Sequence, residues 1–293
     1  MKKTLIALAA VAVTSTAMAQ VTLSGTIAYG YSTDTATTGV KTSGYGADTG
    51  AITFSASEDL GGGLKLAASI GFDGMVGDDL TVASRNSSMT LSGGFGTVSM
   101  SSAESSDFLP VDGLTANSNG ADADRIAYTL PSLVEGLTLV VQTQDGTAIA
   151  GAARGETVNL FAANYKTGPM SFDLVRADFS TASINSRTGI KAAYNFGVAT
   201  VTYGQMKHDV VAANGDVTET GLTVSAPLGG ATVTLSRATS KTGTAVKRTG
   251  NAFGASYALS KRTSIAYNQE SYLAATGNAS NTKEQSLVLS HSF

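Results

Sequence analysis

The sequence predicts an all-β chain: a 16-stranded antiparallel transmembrane β-barrel, with short turns at one end and longer loops at the other. Three observations lead there. Apolar residues recur at every second position in runs of roughly the ten residues that a tilted membrane strand needs. The connections between runs alternate between a tight class and a long class, the rhythm of outer-membrane barrels. The composition, with 33 Gly, 4 Pro, no Trp and 14% charged residues in 293, leaves few large side chains for a dense interior. It suits a wall with one face on lipid and the other on water. In lipid only helices and closed barrels satisfy every backbone polar group, and no apolar helical span follows the N-terminal segment.

That segment, residues 1–19, reads as an export signal. Lys2 and Lys3 form a positive start, Leu5 to Val13 an apolar core, and Ala17-Met18-Ala19 a small-residue cleavage site before Gln20. The apolar core is too short to span a bilayer as a helix, which takes about 20 residues. The expected division is a signal peptide over 1–19 and one barrel domain over 20–293. Removing the signal removes two lysines and no acid, so the formal charge goes from −3 to −5. An acidic balance without a basic run excludes nucleic acid as a partner. With no cysteine, an exported chain depends on hydrogen bonding and packing rather than disulfides.

The strands follow in order. Val21 to Tyr31 has mostly apolar or aromatic residues at odd positions and small or polar ones at even positions. Ile52, Phe54 and Ala56 alternate with Thr53, Ser55 and Ser57; Leu64, Leu66, Ala68, Ile70 and Phe72 alternate with Lys65, Ala67, Ser69, Gly71 and Asp73. The period continues through Ile126/Tyr128/Leu130, Ile190/Ala192/Tyr194, Leu222/Val224, Val233/Leu235, Phe253/Ala255/Tyr257 and Leu287/Leu289/Phe293. Tight turns rich in Gly, Pro or Asn are expected at 58–63, 92–96, 131–136, 166–169, 195–197, 227–230 and 260–261. Long polar loops are expected at roughly 33–48, 74–84, 103–122, 144–155, 180–186, 207–216, 239–250 and 273–282. Seven turns and eight loops join sixteen strands, and an even count puts both termini on the short-turn, periplasmic side. A soluble sandwich, solenoid or adhesin also alternates. Against it stand the run lengths, the two classes of connection and one face poor in polar residues throughout.

Catalysis finds little support. His208 falls in an expected external loop, and His291 is in phase with Leu289 and Phe293, facing outward near the periplasmic rim. Neither sits beside a nucleophile and an acid at a familiar spacing. Gly61-Gly62-Gly63 lacks the following Lys-Ser/Thr of a phosphate loop and reads as a turn. No His/Cys cluster suits a transition metal, and no cofactor is expected.

The least strand-like interval is 103–121, AESSDFLPVDGLTANSNGA, which carries Glu104, Asp107 and Asp112, with Asp122 and Asp124 at its exit. Taken alone it fits either an ordinary surface loop or one folded into the lumen. Its acids lack a Ca²⁺-loop spacing, which favours solvated carboxylates over a cation site. Inward-phase positions supply Lys65, Arg125 and Lys191, with Arg187 nearer the rim. A Lys or Arg on the lipid face costs about 2–4 kcal/mol at midplane, which is a reason for these to turn inward. Arg85 is in phase with Met89 and Leu91, hence outward, unless a bulge intervenes. Arg176 and Arg237 raise the same question and are expected near strand ends.

The order of QVTLSGTIAYGY, SEDLGGGLKL, LSGGFGTVSM, YNFGVATVTYG, APLGGATVTLS and YALSKRTSIAY, with the ending LVLSHSF, resembles the Gram-negative general porins over the whole mature chain. The resemblance implies a homotrimer of 16-stranded barrels in outer-membrane lipid and lipopolysaccharide, passing small hydrophilic solutes by diffusion. It implies that 103–121, the third long loop, folds inward with the acids Glu104, Asp107, Asp112, Asp122 and Asp124 facing wall bases Lys65, Arg85, Arg125, Arg187 and Lys191. It makes Phe293 part of the signal read by the barrel-assembly machinery. With a mature charge of −5 and acids in the loop, a weak cation preference is expected. A solute-specific channel, for a sugar or an organic acid, would want inward aromatics, whereas the clearly phased Tyr and Phe point outward. A non-channel structural or adhesive surface protein is the other alternative.

Overall fold

The computed structural model of the protein describes residues 20–74, 83–103, 107–111, 114, 123–145, 157–180, 184–213, 215–245, 247–272 and 281–293; at 83–85 and 281 it describes the backbone alone. These residues form sixteen strands: β1 (Gln20–Ala36), β2 (Lys41–Gly61), β3 (Leu64–Asp73), β4 (Ala83–Gly93), β5 (Gly96–Ala103), β6 (Ala123–Thr129), β7 (Leu137–Asp145), β8 (Thr157–Thr167), β9 (Met170–Phe179), β10 (Ile184–Asn195), β11 (Thr200–Val210), β12 (Val217–Leu228), β13 (Ala231–Thr242), β14 (Arg248–Ala258), β15 (Thr263–Ser271) and β16 (Asn281–Ser292). Each pairs antiparallel with its sequence neighbours, and β1 pairs with β16 to close the barrel.

The alternation works as a sorting rule. Leu23, Phe54, Ile70, Ile126, Phe172, Leu235 and Leu289 are exposed on the outer face. Spread over a soluble monomer, so much exposed apolar surface would drive association; around a barrel it is the lipid-facing band. The seven turns fall where expected, and at 61–63 three successive glycines take positive φ of 79°, 61° and 82°, which is a turn rather than a phosphate cradle.

The loops on the other side are shorter than expected. Strands β1 and β2 consume most of 33–48 and leave only 37–40 between them; 211–216 and 243–247 are all that remain of two other expected loops. Above the lipid both faces of a strand meet water, so the apolar alternation fades while the hydrogen-bonded ladder continues. His208 is corrected by the same effect: it lies on β11 and is buried rather than in a loop. A register shift between Ile70 and Phe72 sets two residues of β4, Arg85 and Asn86, opposite Gly71, so the bulge that simple alternation left open at Arg85 is present.

Closure is made at Phe293. The Phe293 amide donates to the Gly25 carbonyl and the Gly25 amide to the Phe293 carbonyl, both at 3.0 Å. The ladder then runs from Thr26↔Ser292 to Ala36↔Asn281. Gly25 has no side chain because the Phe293 ring occupies its place: a Cβ there would lie 2.5 Å from Cζ. Gly25→Val should therefore cost about 1–3 kcal/mol through overpacking. The expected readout is a lower temperature for the shift from folded to unfolded mobility in detergent gels, and an unchanged transition would show that the ring does not need that space.

Candidate functional site

Inward positions on neighbouring strands are unusually small along one row. Lys191 of β10 pairs with Gly204 of β11, Gly204 with Gly221 of β12, Gly221 with Ala238 of β13, and Ala238 with Gly250 of β14. These four small residues, and Gly189 one step along β10, are all buried. What covers Gly189, Gly204, Gly221 and Ala238 is the chain between β5 and β6. Cβ atoms built on Gly189, Gly204 and Gly221 would come within 2.6, 2.9 and 2.9 Å of Phe108, Leu109 and Val111 respectively. The third long loop is thus folded into the lumen and seated on the β10–β13 wall.

Apolar burial holds it there. Leu109, Val111 and Leu114 are buried with Met206, Ala238 and Tyr272, the apolar cluster of the described residues. Each full burial of such a Leu or Val contributes about 1.5–3 kcal/mol. Polar ties set the register: Lys191 Nζ donates to the Phe108 carbonyl at 3.2 Å, and Thr223 Oγ1 donates to the Pro110 carbonyl. The neutral Thr223 tie contributes only about 0.5–1.5 kcal/mol and the charged Lys191 tie about 1.5–3 kcal/mol, so three buried apolar side chains together outweigh them. The apolar anchors of this stretch lie among its acids, and their signals in the sequence are the run Phe108-Leu109-Pro110-Val111 and the Gly/Ala residues at inward phase on four successive strands.

The expected charges are brought together in part. Arg125, Arg187, Lys191 and Asp107 line one cavity of about 350 Å³ on the inner wall between β6 and β11. Lys191 lies 3.6 Å from Asp173 and 4.8 Å above the Phe108 ring, and the Arg187 guanidinium lies 4.9 Å above the Phe179 ring. Lys65 does not join them: it sits at the start of β3, paired with Asp59 and Ser92 beside the 61–63 turn. Asp124 is corrected by its register, since it shares the face of Ile126 and Tyr128 rather than that of Arg125. Glu104, Asp112 and Asp122 lie outside the described residues, as does the side chain of Arg85. Arg176 and Arg237 face outward with Phe161 and Leu222, and Arg176 pairs with Asp178 at 2.8 Å close to the end of β9.

Two further groups escaped the sequence reading. Glu270 of β15 pairs with Glu284 of β16, and Glu284 with Asp34 of β1, so three acids stand side by side on the inner wall. Tyr272, just past β15, donates its hydroxyl to Glu270 and, at 3.3 Å, to Glu284. Burial first, and then those two carboxylates, push its phenol well above the usual range, so it remains a donor at any working pH. Between β11 and β12, His208 Nε2 lies 3.3 Å from Glu219 Oε2, with both side chains buried. The acids were not visible as a group because they lie on the last, the last but one and the first strand, which become neighbours through closure.

A family model described as Gram-negative porin matches residues 4–272. No curated protein matches the chain by sequence. Among solved structures, the anion-selective porin from Comamonas acidovorans superposes with a TM-score of 0.72 at 22% identity, covering 94% of this chain and 100% of that one. A mutant of the Rh. blastica porin gives 0.70 at 16% identity, again over 94% and 100%. A further refined porin structure gives 0.70 at 17% identity with the same coverage.

The seat of the loop is testable. Gly221→Leu puts a side chain where Val111 and Pro110 now lie, and should push the loop toward the lumen axis at a cost of about 1–3 kcal/mol. Single-channel conductance is expected to fall. Lys191→Met removes the tie to the Phe108 carbonyl, a charged hydrogen bond of about 1.5–3 kcal/mol, and should raise open-channel current noise. Unchanged currents in both variants would mean that the loop does not border the conducting path.

Proposed function

Because the chain belongs to the Gram-negative porin family and forms an outer-membrane channel of that class, we propose that it serves general diffusion of small hydrophilic solutes and ions with a weak cation preference. The observation that carries this reading is the loop's attachment to the β10–β13 side of the wall. The facing inner surface of β1–β5 bears hydroxyls such as Ser24, Ser55, Ser69, Ser88 and Ser99, which suit a water-filled path. Pore selectivity follows the bore and the charges on it. Asp34, Glu270 and Glu284 on one wall favour cations, as does a charge of −5 after removal of 1–19. Arg125, Arg187 and Lys191 on the other wall pull the opposite way, with Lys191 partly offset by Asp173. In this proposal Asp107 and the loop acids Glu104, Asp112 and Asp122 form the acidic side of the constriction, Arg85 belongs to the basic wall, and Lys65 acts away from it.

A second reading, anion preference, is supported by that basic trio; the Comamonas acidovorans neighbour is named as anion-selective. In the favoured reading the protein assembles as a homotrimer through the outward faces of its early strands, in contact with lipopolysaccharide. Residues 1–19 serve as its export signal, and Phe293 is presented to the barrel-assembly machinery.

Reversal potentials across planar bilayers in a KCl gradient should have the sign of cation preference. The double substitution Glu270→Gln, Glu284→Gln should move them toward anions. Anion preference in the unsubstituted channel would decide for the second reading. N-terminal sequencing of the protein from outer membranes should begin at Gln20, and cross-linking in detergent should yield trimers.

A further inference from the structure

The cavity that holds the three cations is not a purely polar one. The interior of a membrane barrel is ordinarily polar. Here two ladder rows on the inner wall carry apolar residues beside polar ones. One runs Arg125–Gln144–Val158–Phe179, the other Gln142–Leu160–Ala177–Arg187. Val175, beside Gly189, extends the apolar patch toward Phe108 of the loop. The patch therefore has Arg125 at one edge and Arg187 with Lys191 at the other. Its volume, about 350 Å³, falls at the lower end of the ~300–1,000 Å³ of small-molecule sites, which combine an apolar lining with a few placed polar groups.

We propose that this cavity is a binding site for small monocarboxylates with a compact apolar body, of the size of an aromatic or branched aliphatic acid, taken up during passage through the channel. The body lies on Leu160, Val175 and Phe179, and the carboxylate reaches the guanidinium of Arg187 or Arg125. Arginine suits this task because its planar fork can present two parallel donors to one carboxylate. The cation-over-ring contacts at Phe179 and Phe108 hold Arg187 and Lys191 at the edge of the apolar patch, so charge and apolar surface are met together. Three cations and one acid, Asp107, line the cavity. Asp173 beside Lys191, and Glu219 whose field acts on Arg187, are not among the lining residues. Asp107 disfavours a second negative charge, which selects monoanions over dianions. Inorganic anions gain nothing from Leu160 and Val175, and uncharged solutes gain nothing from the arginines. A local site of this kind is compatible with weak cation preference in bulk, which acids on the far wall supply.

This inference rests on the channel reading, and the test separates the two. Sodium benzoate, sodium acetate and benzyl alcohol are added in turn to open channels in planar bilayers carrying KCl current, and the ratio of treated to untreated conductance is read. Benzoate should lower it saturably; acetate, with the charge alone, and benzyl alcohol, with the ring alone, should leave it near unity. Arg187→Gln and Leu160→Asn should each raise the half-blocking benzoate concentration about tenfold, through loss of a charged hydrogen bond and of apolar contact respectively. Titration calorimetry of benzoate against acetate into the unsubstituted, detergent-solubilised protein gives the same comparison should a variant fail to assemble. Equal effects of benzoate and acetate, an effect of benzyl alcohol matching that of benzoate, or block unaltered in both variants would overturn the site while leaving the channel intact. No KCl conductance at all would overturn the channel reading, and the site with it.

Discussion

Every amide and carbonyl that enters a bilayer must be hydrogen-bonded within the protein, and the rest of this structure follows from that. Strands satisfy the requirement only if no edge remains, so the sheet must close. Closure fixes which strands are neighbours, and the two-residue period then fixes what each face carries. The demand falls most heavily on the seam, where the Gly25 and Phe293 main chains exchange a pair of hydrogen bonds and the terminal ring takes the space of an absent side chain.

A wall that turns its large apolar residues outward has no ordinary core. The apolar cluster inside is built instead between the wall and a loop, and it works by size matching. Glycine and alanine on β10 to β14 make a shallow seat, and Phe108, Leu109, Val111 and Leu114 fill it. The loop's position is consequently set mainly by packing. Acids gathered near the seam and bases gathered across β6 to β10 then give the lumen two unlike walls.

Much of this was legible in the residues. Alternation along Val21 to Tyr31, or Ile70 to Leu64, located strands because lipid imposes it. Where lipid ends, so does the signal: Lys41 to Gly46 is strand, yet polar on both faces, and it read as loop. His208 was misplaced for the same reason. Phase failed where the ladder skips, as at Arg85, and where an exit acid, Asp124, was grouped with its neighbours in sequence rather than on its own face. The acids Asp34, Glu270 and Glu284 required knowledge of closure, since they are separated by nearly the whole chain and share no local pattern. The inward apolar patch at Val158, Leu160 and Val175 was masked by the stronger outward pattern that surrounds it.

The seam also has a meaning in time. Thr26 and Ser292 are hydrogen-bonded across 266 positions of sequence. Fifteen of the sixteen strand pairings can form between consecutive strands as hairpins, but this one cannot exist until β16 has been made. Contacts so remote are slow to form, and strands without partners invite association with other chains. The edges of β1 and β16 therefore lack this pairing until β16 has been made, and the event that ends their exposure is the arrival of β16 beside β1.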